Sequence, residues 1–410
     1  MTKSQKTILI LGNPKSWSTQ QLEKAVTDAG HIPAVYEPGD LFVYLSESSG
    51  HDRIYFRKVE SAKAERLFTK NIDAVITRLG AGTRYGKYVV KAFQNQGIFT
   101  ANISEAIDIC GDKFKTCQVL SKARQPIPRQ ILCYESRNPE EVINLIDSKP
   151  PVMAKKISGS EGKGVFVLPD ALSAKMIMES FSSEFLVIQR MSSKKSTEKK
   201  SDIRCFTIGA ETANPEVYAY ERISESDDPR ANFSIHHSGR KYELSPLMRQ
   251  IAIESAKAVG AGVCGVDIMI DRNPNGPERE FVLEVNSNPS LEGITSVLGV
   301  NIAAKIVDYV LRECERPGKN KPFLNNLMAN AIDVMPGAQP TFSNVPKYVA
   351  QTSHQQPAPA IDEIVKNIAE LENTFQVIER TSPQNWMLNK AAREQFENLN
   401  KILKTYGSKV

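Results

Sequence analysis

The sequence predicts an α/β fold at its start, an α+β region in its middle and a helical extension at its end. Three observations lead there. Apolar runs alternate with helical stripes as far as residue 105, β-rich segments dominate to residue 316, and a proline-rich stretch then precedes two amphipathic patterns. With 410 residues, 41% hydrophobic and 24% charged, the chain has room for about two to three domains with ordinary cores, which excludes wholesale disorder.

The first elements follow in order. TILIL at residues 7–11 is a continuous apolar run ahead of Gly12, Asn13 and Pro14, and Ser18 to Ala29 has a helical pattern, giving a strand, a turn and a helix. Next come the apolar segment Pro33 to Tyr36, the strand IYFRKV, a helix near Ala62 to Thr69, the strand DAVITRL, a helix over Lys87 to Gln96 and a short strand at Ile98 to Thr100. This alternation argues a parallel sheet flanked by helices, closing near residue 105. Gly12 could open a dinucleotide fingerprint, but no GxGxxG follows, so a nucleotide site is expected elsewhere.

A helical segment from Lys113 to Ala123 leads past Pro126 and Pro128 to the strand RQILCY and a helix over Pro139 to Ile146. PPVMAKKISGSEGKGVFVLPD then reads as a β-hairpin with a glycine-rich tip. Strands are expected at FLVIQRM, DIRCFTIG, VYAYERI, VCGVDIMID and REFVLEVN, with helices over Pro246 to Val259 and Asn301 to Cys314, so this region is mostly antiparallel. Residues 317–360 are rich in proline and polar residues, as a linker is. Beyond them, Ile361, Ile364, Val365, Ile368, Leu371, Phe375 and Ile378 form one helical stripe, and Leu388, Ala392, Phe396, Leu399, Leu403 and Tyr406 a second. A helical hairpin over 361–410 cannot bury both stripes alone, so docking on the body or on a twin subunit in a homo-oligomer is favoured over recruitment of another protein.

A net charge of +5 over this length does not mark nucleic acid as the partner. No stretch approaches the roughly 18 apolar residues of a membrane helix, and the run in MTKSQKTILILGNP is too short for a signal peptide, so a cytoplasmic protein is expected. The six cysteines form no CxxC pair and are expected to be reduced packing residues.

Four groups of residues carry chemistry. Ser158 to Gly164, with Gly159, Ser160, Glu161, Gly162 and Gly164, is a tip whose backbone N–H groups could approach a polyphosphate because glycines remove the Cβ obstruction; it is equally an ordinary turn. Lys155 on the strand before it and Lys113 opening a helix could meet phosphate oxygens as point charges, or could be surface lysines. Asp267 in GVDIMI faces Glu284 and Asn286 in FVLEVN across an expected hairpin, and the apolar residues around them argue against a solvent-turned face. Two carboxylates and an amide oxygen at one place suit magnesium or manganese. Arg204, Arg222, Arg230 and Asn232 lie between the tip and those strands, and guanidinium groups match carboxylates and phosphates, although one of them could be only a structural ion-pair member.

The order of these motifs resembles one family. DKF near residue 113, VMAK before GSEGKGV, then DIR, ER, RAN, GVDIMI and EVNSNPSLEGI are similar to the RimK branch of the ATP-grasp ligases, and the likeness reaches back through DAVITRLGAGTRYGKYVVKAF to cover roughly residues 5–314. The resemblance implies an ATP-grasp fold with a Rossmann-like pre-ATP-grasp domain over 1–105, a central small subdomain over 106–190 and a C-terminal subdomain with the metal site over 191–316. ATP would lie between two antiparallel sheets. Lys113 and Lys155 would contact its phosphates, Asp202 would lie near the nucleotide, and Asp267, Glu284 and Asn286 would hold two divalent ions. Arg204, Arg222, Arg230 and Asn232 would surround the reacting groups. Where relatives commonly carry a glutamate and an aromatic residue at the adenine edge, this chain has Gln189 and Arg190, and backbone groups of Arg190 and Met191 could read adenine instead.

The activity implied is ATP-dependent carboxylate–amine ligation through an acyl-phosphate. The family adds glutamate to the C-terminal carboxylate of a protein or peptide, and related ligases act on small-molecule or amino-adipate-type acceptors. A non-catalytic ATP-binding switch with a partner-recruiting tail is the competing class, against which the complete set of transfer groups speaks.

Overall fold

A computed structural model describes residues 5–316 except 47–52, 58–63, 81–82, 134–138, 147–150, 158–163, 181–185, 191–200, 225–236 and 272–277. The expected linker and helical hairpin therefore lie outside the described residues.

The N-terminal part runs β1 (Thr7–Gly12), α1 (Trp17–Asp28), β2 (Ile32–Tyr36), β3 (Leu41–Tyr44), β4 (Arg53–Arg57), β5 (Ala64–Leu67), β6 (Ala74–Arg78), α2 (Thr83–Asn95), β7 (Phe99–Ala101) and α3 (Ser104–Cys110). Its sheet is parallel in the order β2-β1-β6-β7, as the alternation required. Ile8, Ile10 and Ile76 enter one core with α1, while Leu9, Leu11 and Val75 enter another with α2. Gly12 serves packing, because a Cβ there would stand 2.7 Å from the Cβ of Arg78 on the neighbouring strand.

The helix expected near Ala62 to Thr69 is corrected. Ala64–Leu67 is a strand on the edge of an antiparallel sheet β3-β4-β5, followed by a single 3-10 turn at Thr69–Asn71. Leu67 packs against the core whereas Phe68 is exposed, so the segment has one apolar anchor rather than a helical stripe, and pairing with β4 decides its form. Strand β3 and helix α3 were not expected either.

The next part contains α4 (Lys113–Lys122), β8 (Gln130–Cys133), α5 (Pro139–Leu145), β9 (Val152–Lys156), β10 (Val165–Leu168), α6 (Ala171–Ser180) and β11 (Leu186–Arg190). Its sheet is antiparallel in the order β10-β9-β11-β8. There follow β12 (Ser201–Ile208), β13 (Glu216–Ser224), β14 (His237–Lys241), α7 (Pro246–Val259), β15 (Val263–Asp271), β16 (Arg279–Asn286), α8 (Leu291–Leu298) and α9 (Ile302–Glu313). This sheet is also antiparallel, β14-β13-β12-β15-β16. Helix α7 starts and stops where its sequence dictates: Ser245 caps it by accepting from the Met248 N–H, proline opens it, and Gly260 ends it at φ +74°.

Helix α9 joins the parallel sheet to the five-stranded one. Ile302, Ile306, Val307 and Val310 share a core with Ile8, Ile10 and Leu22 on one side and with Phe206, Ile208 and Val263 on the other. Among the described residues no single helix is long and apolar enough to cross a membrane. All six cysteines are free; five are buried and Cys110 is half-buried, as packing residues.

Candidate functional site

One face of the five-stranded sheet collects the charges. Cys205, Val266, Ile268, Val282 and Val285 enter the core beneath α7, so strand alternation sends Asp202, Arg204, Tyr220, Arg222, Asp267 and Glu284 to the other face. Asp202 pairs in register with Arg222, Arg204 with both Tyr220 and Asp267, and Asp267 with Glu284. Four short motifs, DIR, ER, GVDIMI and EVN, thus become one row. The ladder shifts between Asp267 and Ile268, so that Val282 rather than Leu283 fills the core opposite Ile268 while Glu284 keeps its place beside Asp267.

Asp267 is the centre of the row. Arg204 donates to both of its oxygens, through Nε and, at 2.6 Å, through a terminal nitrogen; Arg222 donates to its Oδ2 at 2.6 Å. Arg222 also donates to both oxygens of Asp202, through Nε at 2.6 Å. Asp267 is 3% exposed and each arginine 8%. Burial pushes the Asp267 carboxyl upward, but the two guanidinium groups overcome it and bring the carboxyl down to about 2. Burial pulls down on both arginines, and the charge of Asp267 with its hydrogen bonds, joined by Glu284 at Arg204 and by Asp202 at Arg222, together outweigh it and hold them above their ordinary range. Asp202 moves the other way: its burial, helped by the Asp267 charge, raises it against the pull of Arg222.

Glu284 has a different setting. Its side chain is 43% exposed, and Arg204 approaches it only to 3.9 Å. The surrounding protein and then the charge of Asp267 push its carboxyl upward. Asn286 lies opposite Gly265, and its Oδ1 accepts the Asn288 N–H at 2.8 Å, which fixes the amide. An ionised aspartate, a glutamate raised by its surroundings and its neighbour's charge, and an amide oxygen form a donor set that fits a hard divalent cation. Among the described residues no three His, Cys, Asp or Glu side chains converge on such a site, so the set depends on Asn286. Because both Asp267 oxygens already accept from arginine, Glu284 is the carboxylate most open to a cation.

The facing wall is the four-stranded sheet with α4. Asp112 caps α4 by accepting from the Phe114 and Lys115 N–H groups, and the Lys113 N–H donates to the Ile157 carbonyl at 3.0 Å, which ties the helix start to the end of β9. Lys155 on β9 donates to Gln189 Oε1 at 2.6 Å. Burial lowers the Lys155 ammonium, while the charge of Glu284 draws it back up; Lys113 in turn acts on Glu284. The lysines of one wall therefore sit within electrostatic reach of the acids of the other.

Gln189 is 3% exposed and its carbonyl is occupied by Lys155, so its side chain positions the lysine. The Arg190 N–H donates to the Arg129 carbonyl at 3.0 Å, which removes that group from the backbone contacts expected of Arg190. Gly164 has φ +80° and accepts from the Lys156 N–H at 2.8 Å, a hairpin position that favours glycine. Gly159, Ser160, Glu161, Gly162, Met191, Arg230 and Asn232 lie outside the described residues. Gly265 was not singled out in the sequence, yet a Cβ there would stand 2.8 Å from the Arg204 Cδ, so its absence opens the path of that side chain to Asp267. A glycine inside an apolar strand was the available signal.

Comparison with known proteins agrees with this layout. The family model described as RimK-like ATP-grasp domain matches residues 110–310, and that of the RimK PreATP-grasp domain matches residues 6–107. The chain is similar to a probable alpha-L-glutamate ligase of Haemophilus influenzae, 33% identical over 308 residues, which cover 74% of this chain and 97% of the relative. A probable alpha-L-glutamate ligase of Legionella pneumophila is 32% identical over 324 residues, 78% of this chain and 99% of the relative. Among solved structures, the ATP-grasp ligase PsnB with its minimal precursor has a TM-score of 0.55 at 18% identity, covering 76% of this chain and 99% of that one. D-alanine–D-alanine ligase of Bacillus anthracis with ATP has a TM-score of 0.51 at 17% identity, covering 77% and 99%. The fold is the ATP-grasp fold.

Proposed function

The chain belongs to the RimK-like ATP-grasp ligases, and from that premise we propose that it adds L-glutamate to the C-terminal carboxylate of a protein or peptide through an acyl-phosphate. The observation that carries this is the facing of two antiparallel sheets, one with Lys113 and Lys155 and the other with the Asp267–Glu284 pair and its arginines. The relatives named alpha-L-glutamate ligase support glutamate as the amine.

In this proposal Lys113 and Lys155 bind the phosphates of ATP as point charges, and Gln189 keeps Lys155 aimed at them. Asp267, Glu284 and Asn286 would hold divalent ions, two of magnesium or manganese, whose charge neutralises the phosphates when bound. Arg204 and Arg222 keep Asp267 ionised and fixed, and their own charge is assigned to the carboxylate oxygen that would receive the phosphoryl group. Arg230 and Asn232 are assigned to the same region on the strength of their motif. Phosphorylation converts a poor leaving oxygen into a good one, after which the amine attacks the carbonyl and phosphate departs.

The domains proposed are those expected from the sequence, 1–105, 106–190 and 191–316, with a linker over 317–360 and a helical hairpin over 361–410. ADP release measured with an added acceptor and a panel of amino acids, with mass spectrometry of the product, tests the function. Release that requires both substrates, with a mass gain of glutamate on the acceptor, is expected. Amide formation only on small acids would move the acceptor to the small-molecule class, and ADP release indifferent to acceptor and amine would refute ligation.

A further inference from the structure

Arg78 ends β6 directly across from Gly12 at the end of β1. In the order β2-β1-β6-β7 the chain turns to one side after β1 and returns on the other, so β1 and β6 flank the switch point of the parallel sheet. Open parallel sheets bind ligands in the crevice outside the carboxyl ends of the strands at that point. By alternation Arg78 shares a face with Ile76, the side of α1 and of the core reached by Leu291.

Its guanidinium is peculiar. Nε is buried and has no hydrogen-bond partner, and among the described residues no acid pairs with Arg78. Burial alone lowers it, to about 10, with no opposing carboxylate. The residue as a whole is half-buried, so its terminal nitrogens keep some access, but a buried donor left without a partner is costly and the protein around it offers none.

The surroundings lead to the reaction site in a few steps. Thr77, which precedes Arg78 in β6 and faces the other side of the sheet, accepts the Asn102 N–H with its Oγ1 at 2.7 Å. Asn102 donates its amide to the Ser287 carbonyl at 2.8 Å, and Ser287 follows Asn286. The Leu291 N–H donates to Ser18 Oγ at 3.2 Å, closing the same loop onto α1. Within that loop Asn288 also leaves a buried Oδ1 without a partner. Arg78 Nε, a donor, and Asn288 Oδ1, an acceptor, are thus both buried without a partner, in segments that these hydrogen bonds link.

We propose that Arg78 holds a non-reacting carboxylate of one of the two substrates, at the crevice between β1 and β6. The inference rests on the ligase function proposed above, whose substrates are both acids. A guanidinium fork takes a carboxylate bidentately and in a fixed plane. The site lies on the parallel sheet, apart from the lysines assigned to phosphates, and would orient a substrate rather than take part in phosphoryl transfer.

Full-length Arg78→Met and Arg78→Lys variants test it, with KM measured separately for the amino acid, the acceptor and ATP. Expected is a rise of about tenfold or more in KM for one acidic substrate in Arg78→Met. The substrate whose KM rises identifies the source of the carboxylate. The KM for ATP should stay within about twofold, Arg78→Lys should be intermediate, and the melting temperature of Arg78→Met should equal or exceed that of the native chain because a buried donor without a partner is gone. Unchanged KM for both acids, or a rise for ATP alone, overturns the inference; so does a fall in melting temperature with no change in either acid's KM. Should the native chain form no amide at all, the ligase proposal fails by itself. Calorimetry with glutarate then still decides the site: binding lost in Arg78→Met upholds it, and equal or absent binding refutes it.

Discussion

Asp267 and Glu284 stand directly opposite each other across the β15–β16 ladder, yet only Asp267 is enclosed by two arginines. The pair therefore divides its work. One carboxylate, 3% exposed, is fixed and ionised by its arginines, while the side chain of the other is 43% exposed and is raised by the protein around it and then by its partner's charge. Like charges this close repel unless a cation comes between them, which makes Glu284 the residue through which cation dependence should be felt.

Replacing Glu284 by Gln keeps the shape and removes the charge. Turnover should fall by about 100-fold or more, because a cation clamp contributes several kcal/mol to phosphoryl transfer, while the melting temperature stays near that of the native chain. Titrating magnesium in an ADP-release assay should show a shift to higher concentration. Native-like magnesium dependence would remove Glu284 from the cation site.

Asp267→Asn should behave differently, since it leaves Arg204 and Arg222 buried beside a neutral amide. Breaking a buried pair in this way costs roughly 3–5 kcal/mol, so stability as well as activity should drop. Urea unfolding of the two variants side by side separates the roles: a fall confined to Asp267→Asn is expected, and equal stabilities would mean the arginine clamp contributes little.

Much of this was legible in the sequence for physical reasons. The apolar run of β1 and the shorter Ala74–Ile76 run of β6, each too brief for a helix and followed by turn residues, read as strands buried on both faces, and the i, i+2 spacing of Glu284 and Asn286 within a strand places them on one face. What was not legible depended on partners distant in the chain. The pattern of Ala64–Leu67 could not announce that β4 would supply an edge, and DIR and ER gave no sign that Arg204 and Arg222 would converge on one aspartate. Nor could the sequence around Gln189 announce that its side-chain carbonyl accepts from Lys155, a residue 34 positions away.

Lys155 supplies a test of the facing wall. Its ammonium is lowered by burial and held by the Gln189 carbonyl, so it is a costly charge kept where phosphates are expected. Lys155→Met should raise KM for ATP by about tenfold while leaving stability unchanged or slightly improved. An unaltered KM for ATP, measured with the other substrates saturating, would take Lys155 out of the nucleotide site.

Glu105 gives a pH dependence remote from the chemistry. It accepts from Lys91 and Gln94 and so ties α3 to α2; burial pushes its carboxyl up, but these partners hold it below the ordinary 4.5. A carboxyl depressed in the folded state contributes stability that is present above the unfolded value and lost as pH falls through the folded one. Lys91→Met should therefore narrow the gap in stability between pH 7 and pH 3, by less than about 1 kcal/mol for a partly exposed pair. Urea unfolding at the two pH values checks it, and an unchanged gap would show that the pair carries no linkage.

Gly265 is where packing and chemistry meet. A Cβ at this position would stand 2.8 Å from the Arg204 Cδ and 3.1 Å from the Pro289 Cβ. Arg204 cannot swing aside without releasing Asp267, because its guanidinium is bound at two nitrogens, and Pro289 belongs to the loop that leaves Asn286. Gly265→Ala should cost about 1–3 kcal/mol from overpacking. Its effect on turnover should exceed what that loss explains, since the arginine would be displaced from the aspartate it holds. The double variant Gly265→Ala with Arg204→Ala separates the two effects. If the glycine acts only by making room for the arginine, adding Gly265→Ala to Arg204→Ala should cost little further activity. Fully additive losses would show that Gly265 matters for some other contact.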